Sequence, residues 1–348
     1  IVDGYSGNLA DICPVGALTS GKFRFRCRVW FLNSTPSICA SCSTGCNIRI
    51  DHKDDVIYRI VARRNPAVNS SWICDEGRMS YERVMSTQRL TKPVIRTNGS
   101  ASATTWEEAI KTLNTRLMEI RSEFGASAIA AIASPAATNE ENYIFKKYIT
   151  DIINSPNLDF RVDEGHKNYE KMEDHLLRRL DKNPNTRGAL NLKMTPTNGG
   201  LDVNGIIAGA REGKINALLI LNQDVIGRKQ DADLRAIFSR IPLVAVLSEM
   251  KDETTDAAHI ALPIASFAEK DGTFTNYKDR IQRIRAAVKP PGDARDATAV
   301  ISELIKSAGG DVEGTTASEI FKRMASEVSE FSGLDYDKIG EEGIITGD

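Results

Sequence analysis

The sequence predicts an α/β chain, with a small N-terminal region of short strands and turns followed by parallel-sheet α/β domains. Three observations carry this. All six cysteines lie at or before Cys74, which sets the first part apart from a long cysteine-free remainder. Beyond Thr104, apolar β-rich runs alternate with helical periodicities, the order of βαβ units. Hydrophobic content of 41% with 26% charged residues is that of a globular chain able to bury a sizeable core.

Taken in order, Phe23, Phe25, Cys27 and Val29 alternate with Arg24, Arg26, Arg28 and Trp30, the period-2 pattern of a half-buried strand. On it Cys27 faces inward as a core residue, and the arginines form a solvated face or meet a partner. Asn47 to Ile50 and Val56 to Val61 read as two strands joined by His52-Lys53-Asp54-Asp55. Thr105 and Glu108 are spaced as a capping box. Trp106, Ala109, Ile110, Leu113, Leu117 and Ile120 then recur at helical spacing until Gly125. Ala128 to Ala133 reads as a strand, Ser134-Pro135 as a turn, and a helix passes through Tyr143 and Tyr148. The polar stretch 164–202 reads as loop. Ala217 to Leu221 and Leu243 to Leu247 are strands separated by a helix over 231–239, and a last helix runs from Ser318 to Phe331, stopping at Gly333.

A net charge of −2 with both signs interspersed gives no footprint for nucleic acid. The longest apolar runs are too short to span a bilayer, so no direct membrane insertion is expected. The chain starts at Ile1 without a signal-peptide pattern and is expected to be a fragment or a processed form. Clustered cysteines in an otherwise cysteine-free chain point to metal binding in a reducing, cytoplasmic setting.

Cys39-x-x-Cys42-x-x-x-Cys46 followed by Cys74 supplies four thiolates, three of them in one tight loop. An iron–sulfur cube takes one thiolate per iron, and a short Gly-containing loop wraps three of its corners. Gly45 allows the sharp turn beside Cys46. Four cysteines also suit zinc, but zinc ribbons usually pair two Cys-x-x-Cys knuckles, whereas here a triplet faces one distant cysteine. The spacing therefore favours a [4Fe–4S] cluster on Cys39, Cys42, Cys46 and Cys74. None of His52, His166, His175 or His259 has ligand spacing to this set. Cys13, in Cys13-Pro14, is an orphan within the chain: either a ligand to a cluster completed elsewhere or a buried thiol.

Cys13-Pro14-Val15-Gly16-Ala17-Leu18, the cysteine quartet and Trp72 to Arg78 resemble the G-type subunit of bacterial NADH:quinone oxidoreductase, the respiratory complex I family. That family is related to molybdopterin oxidoreductases such as formate dehydrogenase. The resemblance continues through Ala137 to Tyr143, through Phe267 to Asn276 with Arg280, Gln282 and Arg283, and in Gly333 to Tyr336. It implies the end of a ferredoxin-like region and a connecting strand over 1–34 and a [4Fe–4S] domain over 35–92. A molybdopterin-oxidoreductase-like α/β region then spans 93–310, and a C-terminal helix and tail 311–348. It implies an iron–sulfur electron-transfer and scaffold subunit passing electrons from NADH towards quinone, not catalytic alone. Its partners would be the other hydrophilic-arm subunits and an electron-donor flavoprotein subunit, peripheral to the inner membrane. Cys13 would be the last ligand of a second [4Fe–4S] cluster whose other ligands lie outside this chain. The alternatives are a formate dehydrogenase-like molybdopterin subunit and an iron–sulfur subunit of a soluble NAD-linked hydrogenase.

Two departures from the molybdenum enzymes matter. No cysteine follows Cys74, so the usual thiolate ligand to the metal is missing and no molybdenum is expected. On that view Gly272, Thr273 and Asn276 keep a packing turn and not a cofactor loop. Glu76 stands where those relatives place lysine, and beside Asp75 it is expected to lower the cluster's potential, leaving the cluster as a structural clasp off the main electron route.

Overall fold

The computed structural model describes residues 4–97, 99–162, 173–229, 233–312 and 314–345. Helix α1 (Gly7–Ile12) is tied down at its start, where the Asp75 carboxylate accepts from Gly7 N at 2.8 Å and Ser6 Oγ at 2.7 Å. The strand expected over Phe23 to Trp30 does not form. Turns occupy the stretch, and Phe25 has a φ of 64°, which an extended strand does not tolerate. Arg24, Arg26 and Arg28 lie over the rings of Phe25, Tyr58 and Trp30 at 4.7, 5.4 and 5.4 Å, so cation–π pairing replaces two-faced alternation. Cys27 is accordingly half-exposed and not a core residue.

Strands β1 (Asn33–Ile38), β2 (Asn47–Lys53) and β3 (Val56–Ala62) form an antiparallel meander. The β2–β3 turn narrows to Asp54-Asp55, both at positive φ (50° and 59°), as a two-residue hairpin turn requires. Ile48, Ile50, Ile57 and Ile60 are buried beneath it. Two short helices follow, α2 (Asp75–Met79) and α3 (Tyr81–Val84).

Strands β4 (Val94–Thr97) and β5 (Ser100–Ala103) form a hairpin at one edge of the main sheet. Helix α4 (Trp106–Phe124) buries the six periodic residues named above. Its cap is half of the expected box: Thr105 Oγ1 accepts from Glu108 N at 3.2 Å, while the Glu108 carboxylate accepts from the Thr104 hydroxyl. After β6 (Ile129–Ile132), α5 (Asn139–Lys147) opens on a full capping box between Thr138 and Glu141 and widens into a π-type turn over Tyr148–Ile153. Strand β7 (Asn157–Asp159) comes next. The stretch expected as loop contains α6 (Thr186–Asn191), preceded by buried Asn185, whose side chain donates to Ala137 O and accepts from Thr275 N. Its earlier part, including His166, lies outside the described residues.

The chain continues through α7 (Val203–Arg211), β8 (Ala217–Leu221), α8 (Val225–Lys229), α9 (Leu234–Phe238), β9 (Leu243–Ser248), α10 (Glu253–Ala257) and β10 (Ile260–Pro263). Among the described residues the main sheet has seven strands in the order β5-β4-β10-β9-β8-β6-β7, parallel from β10 to β7. Its central strands are buried on both faces, hence their unbroken apolar runs. Leu219, Leu221 and Ala245 join the core under α4 and α5, whereas Leu218, Ile220 and Val244 join the core under α7 and α9. Each such leucine, isoleucine or valine contributes roughly 1.5–3 kcal/mol on burial.

Strands β11 (Gly272–Thr275), β12 (Arg280–Ile284) and β13 (Ile344–Ile345) make a separate antiparallel ribbon. Helices α11 (Ala297–Ser307) and α12 (Ala317–Glu327) pack on α5, α11 also on α4, and α13 (Tyr336–Ile339) packs on β12 of the ribbon. The expected last helix therefore breaks at Val328 and resumes as a 3-10 turn over Ser329–Phe331 before Gly333. No described helix is long and apolar enough to cross a membrane.

Candidate metal centre

Cys39, Cys42, Cys46 and Cys74 are brought together and buried, none more than 6% exposed. The first three line the loop between β1 and β2, which closes on itself through Cys39 N to Cys46 O at 2.9 Å. Gly45 has a φ of 63°, and a Cβ there would stand 2.6 Å from Gln282 Oε1, so both conformation and space demand glycine. Cys74 caps α2, its sulfur accepting from Gly77 N at 3.3 Å. A Cβ on Gly77 would sit 2.9 Å from Cys39 Sγ, so the helix approaches the loop through a missing side chain.

Burial pushes the Cys39 thiol up to about 12, helped by the neighbouring Cys74 and Cys42 sulfurs. Burial likewise raises Cys46, and raises Cys74 despite the Gly77 hydrogen bond. As free thiols they are inert, and ligation to a cationic centre would have to displace their protons. Among the described residues no three Cys, His, Asp or Glu side chains are placed to hold a single metal ion. Tetrahedral zinc needs all four sulfurs about 2.3 Å from one point. A polynuclear cluster instead takes one thiolate at each corner.

The cysteine loop is held from far along the chain. Thr44 O accepts from Asn276 Nδ2 at 3.2 Å, Gly45 O from Gln282 Nε2 at 3.1 Å, and Ser43 O from Tyr277 N at 2.9 Å. On its other side, Ser43 N donates to Asp181 O at 2.9 Å and the Thr44 hydroxyl to Leu177 O. None of these supports is marked as part of the site by the sequence. Their signal is indirect: Asn276 and Gln282 lie in or beside the polar motif beginning at Phe267. That motif packs onto α5 through Asn139 to Thr273 Oγ1 at 3.0 Å, Thr273 N to Glu140 at 2.9 Å, and the buried Lys270–Glu141 pair at 2.5 Å.

Cys13 is not brought to the quartet. It ends α1 and opens on a separate cavity of about 340 Å³ that none of the other four lines. Its sulfur accepts from Leu18 N at 3.4 Å, and the backbone N–H groups of residues 15–18, Leu18 foremost, hold its thiol below the ordinary value. Of the remaining histidines, His259 Nδ1 accepts from Val244 N and His52 bonds Thr35, both packing roles.

Asp75 and Glu76 are both engaged. Asp75 caps α1, and Glu76 pairs with Lys182 at 3.0 Å. Glu76 therefore has a cationic partner, while Asp75 is held by neutral donors, Ser6 Oγ and Gly7 N. Next to them lies a cavity of about 590 Å³ lined by Glu76, Asp224, Glu249 and Asp252 as well as Arg83, Lys182, Arg228 and Lys270.

A family model described as molybdopterin oxidoreductase matches residues 89–182 and 176–307, and the Fe4S4 domain of that family matches 32–86. The chain belongs to the molybdopterin oxidoreductase family. Within it, the G-type subunit of NADH-quinone oxidoreductase from Streptomyces coelicolor is 37% identical over 159 residues, 45% of this chain and 18% of that protein. Subunit 3 of NADH-quinone oxidoreductase from Thermus thermophilus is 40% identical over 158 residues, 45% of this chain and 19% of that protein. The alpha subunit of NADPH-Fe(3+) oxidoreductase from Geobacter sulfurreducens is 33% identical over 168 residues, 48% and 19%. The chain thus matches less than a fifth of the length of these curated relatives. Acetylene hydratase from Pelobacter acetylenicus shares the fold with a TM-score of 0.63 at 10% identity, over 90% of this chain and 74% of that one.

Family membership raises the question of a pterin cofactor, and the residues present do not fit one. Phosphate groups in the larger cavity would lie among four carboxylates, and two of its cations are already paired, Lys182 with Glu76 and Lys270 with Glu141. No cysteine follows Cys74 to bind a metal there.

Proposed function

We propose that Cys39, Cys42, Cys46 and Cys74 hold one [4Fe–4S] cluster in an electron-transfer and scaffold part of a complex I-type NADH dehydrogenase. The observation that carries this is the buried, mutually adjacent set of four thiols inside an Fe4S4 domain. When bound, the cluster supplies one-electron transfer. The chain's own part is to exclude water, to wrap three corners with the β1–β2 loop, and to close the fourth with Cys74. The names of the Streptomyces and Thermus relatives support NADH as the electron source and quinone as the final acceptor. The partners on this reading are the flavoprotein donor subunit and the other hydrophilic-arm subunits, with the complex on the cytoplasmic side of the membrane. Cys13, with its ring of backbone N–H donors, is proposed as a ligand to a second cluster completed from outside this chain. No molybdenum belongs to this reading. The Geobacter relative favours a second one, in which the same relay serves a ferric acceptor.

Material purified without oxygen should contain about four iron and four sulfide per quartet. Stoichiometric zinc without iron would overturn the assignment.

A further inference from the structure

The segment from Asp174 to Lys182 crosses the cysteine site as a strap. Its near end is folded into a tight turn, with Asp174 Oδ1 accepting from the backbone N–H groups of Leu176, Leu177 and Arg178 at 2.9 to 3.1 Å, and with the Tyr5 hydroxyl donating to the same carboxylate. Its middle lies on the cysteine loop, with Leu177 O accepting from Thr44 and standing 4.0 Å from Cys42 Sγ. Its far end is fixed by Ser43 N donating to Asp181 O at 2.9 Å. Lys182 is the next residue, so its backbone is positioned by the very loop that carries three of the cysteines. Its side chain is only 12% exposed and reaches Glu76, two residues past Cys74, at 3.0 Å.

We propose that Lys182 is a positioning residue for the cluster's charge: a cation held by the strap at the Cys74 corner, where it favours the reduced cluster and cancels Glu76. An exposed ion pair would be screened and of little consequence. This one is mostly shielded on the lysine side and anchored at the backbone, with Glu76, 35% exposed, at the rim of the cavity. Adding an electron adds negative charge, so a fixed neighbouring cation raises the potential and a fixed anion lowers it. The pair as a whole is close to neutral in effect, and each half should be visible once the other is gone.

The inference rests on the cluster assignment above, and the experiment separates the two. The 348-residue chain, purified without oxygen with its cluster, is titrated electrochemically and followed by electron paramagnetic resonance, with iron measured alongside. An absence of any cluster signal in the unaltered chain sinks the assignment itself. Given a signal, Lys182→Gln should shift the midpoint to more negative potential, Glu76→Gln should shift it to more positive potential, and the double variant should return close to the starting value. Lys182→Arg, which keeps the charge, should hold the original midpoint. A strap that only clamps the loop would move both single variants in the same direction or change iron content without moving the potential, and either result overturns the proposal. Should Lys182→Gln lose its cluster, Glu76→Gln decides alone: a midpoint that stays put or falls overturns it.

Discussion

The cysteine loop and the seven-stranded sheet reach fixed structures by opposite means. The sheet is held by side chains whose alternation is written into each strand, such as Leu218 to one core and Leu219 to the other. The loop between β1 and β2 carries only Cys39, Cys46 and Ala40 into apolar surroundings. It is held by polar groups from Gln282, Asn276 and the strap at Asp181, all remote in sequence. A core built from local periodicity tolerates the loss of one contact. A loop built from single hydrogen bonds to backbone carbonyls depends on each of them.

The largest test of that contrast is Cys42→Ser. It should abolish most of the bound iron and sulfide and loosen residues 33–84. The sheet beyond Thr104 should keep its cooperative unfolding, as read by hydrogen exchange. Global unfolding of the sheet in this variant would break the comparison. The mirror experiment is Leu219→Ala, which opens a cavity between strand and α4 and should cost about 2–5 kcal/mol in denaturant unfolding. Iron content per folded molecule should not change. A fall in iron before the sheet unfolds would mean that the two regions are not separable.

A smaller effect sharpens the boundary between them. Glu140 lies where α5 meets the ribbon, accepting from Thr273 N and the Tyr336 hydroxyl at 2.9 Å each. Burial lifts its carboxyl to about 7, above the 4.5 of a free glutamate. The folded state therefore holds this proton more tightly than the unfolded state. The contribution is fully favourable below pH 4.5 and is lost as pH rises towards 7, with a ceiling of about 3 kcal/mol at 1.36 kcal/mol per unit. Asp252, raised by burial to about 6, adds a slope of the same sign. Glu140→Gln should flatten the difference in stability between pH 5 and pH 7.5. An unchanged slope would remove Glu140 as its cause.

What the sequence made legible follows the same division. Ala217 to Leu221 and the α4 stripe were readable because burial on a sheet or helix imposes a period that composition records. That Cys39, Cys42, Cys46 and Cys74 come together was readable because three of them share one short loop at close spacing. The Phe23 to Trp30 alternation misled because period 2 shows only that faces differ, and aromatic rings covered by arginines satisfy it without a strand. Lys182, Asn276 and Gln282 were not legible as parts of the site. Their partners are single carbonyls or a single carboxylate, and nothing periodic marks a hydrogen bond across the fold.

The bond from Gln282 to Gly45 spans 237 positions of the chain. During synthesis the four cysteines emerge before Asn276 and Gln282, so the carbonyls of their loop at first lack these partners. On the proposed cluster assignment, the pocket is complete for iron only once Gln282 has been made. Until then the thiols are open to oxygen and to adventitious metals.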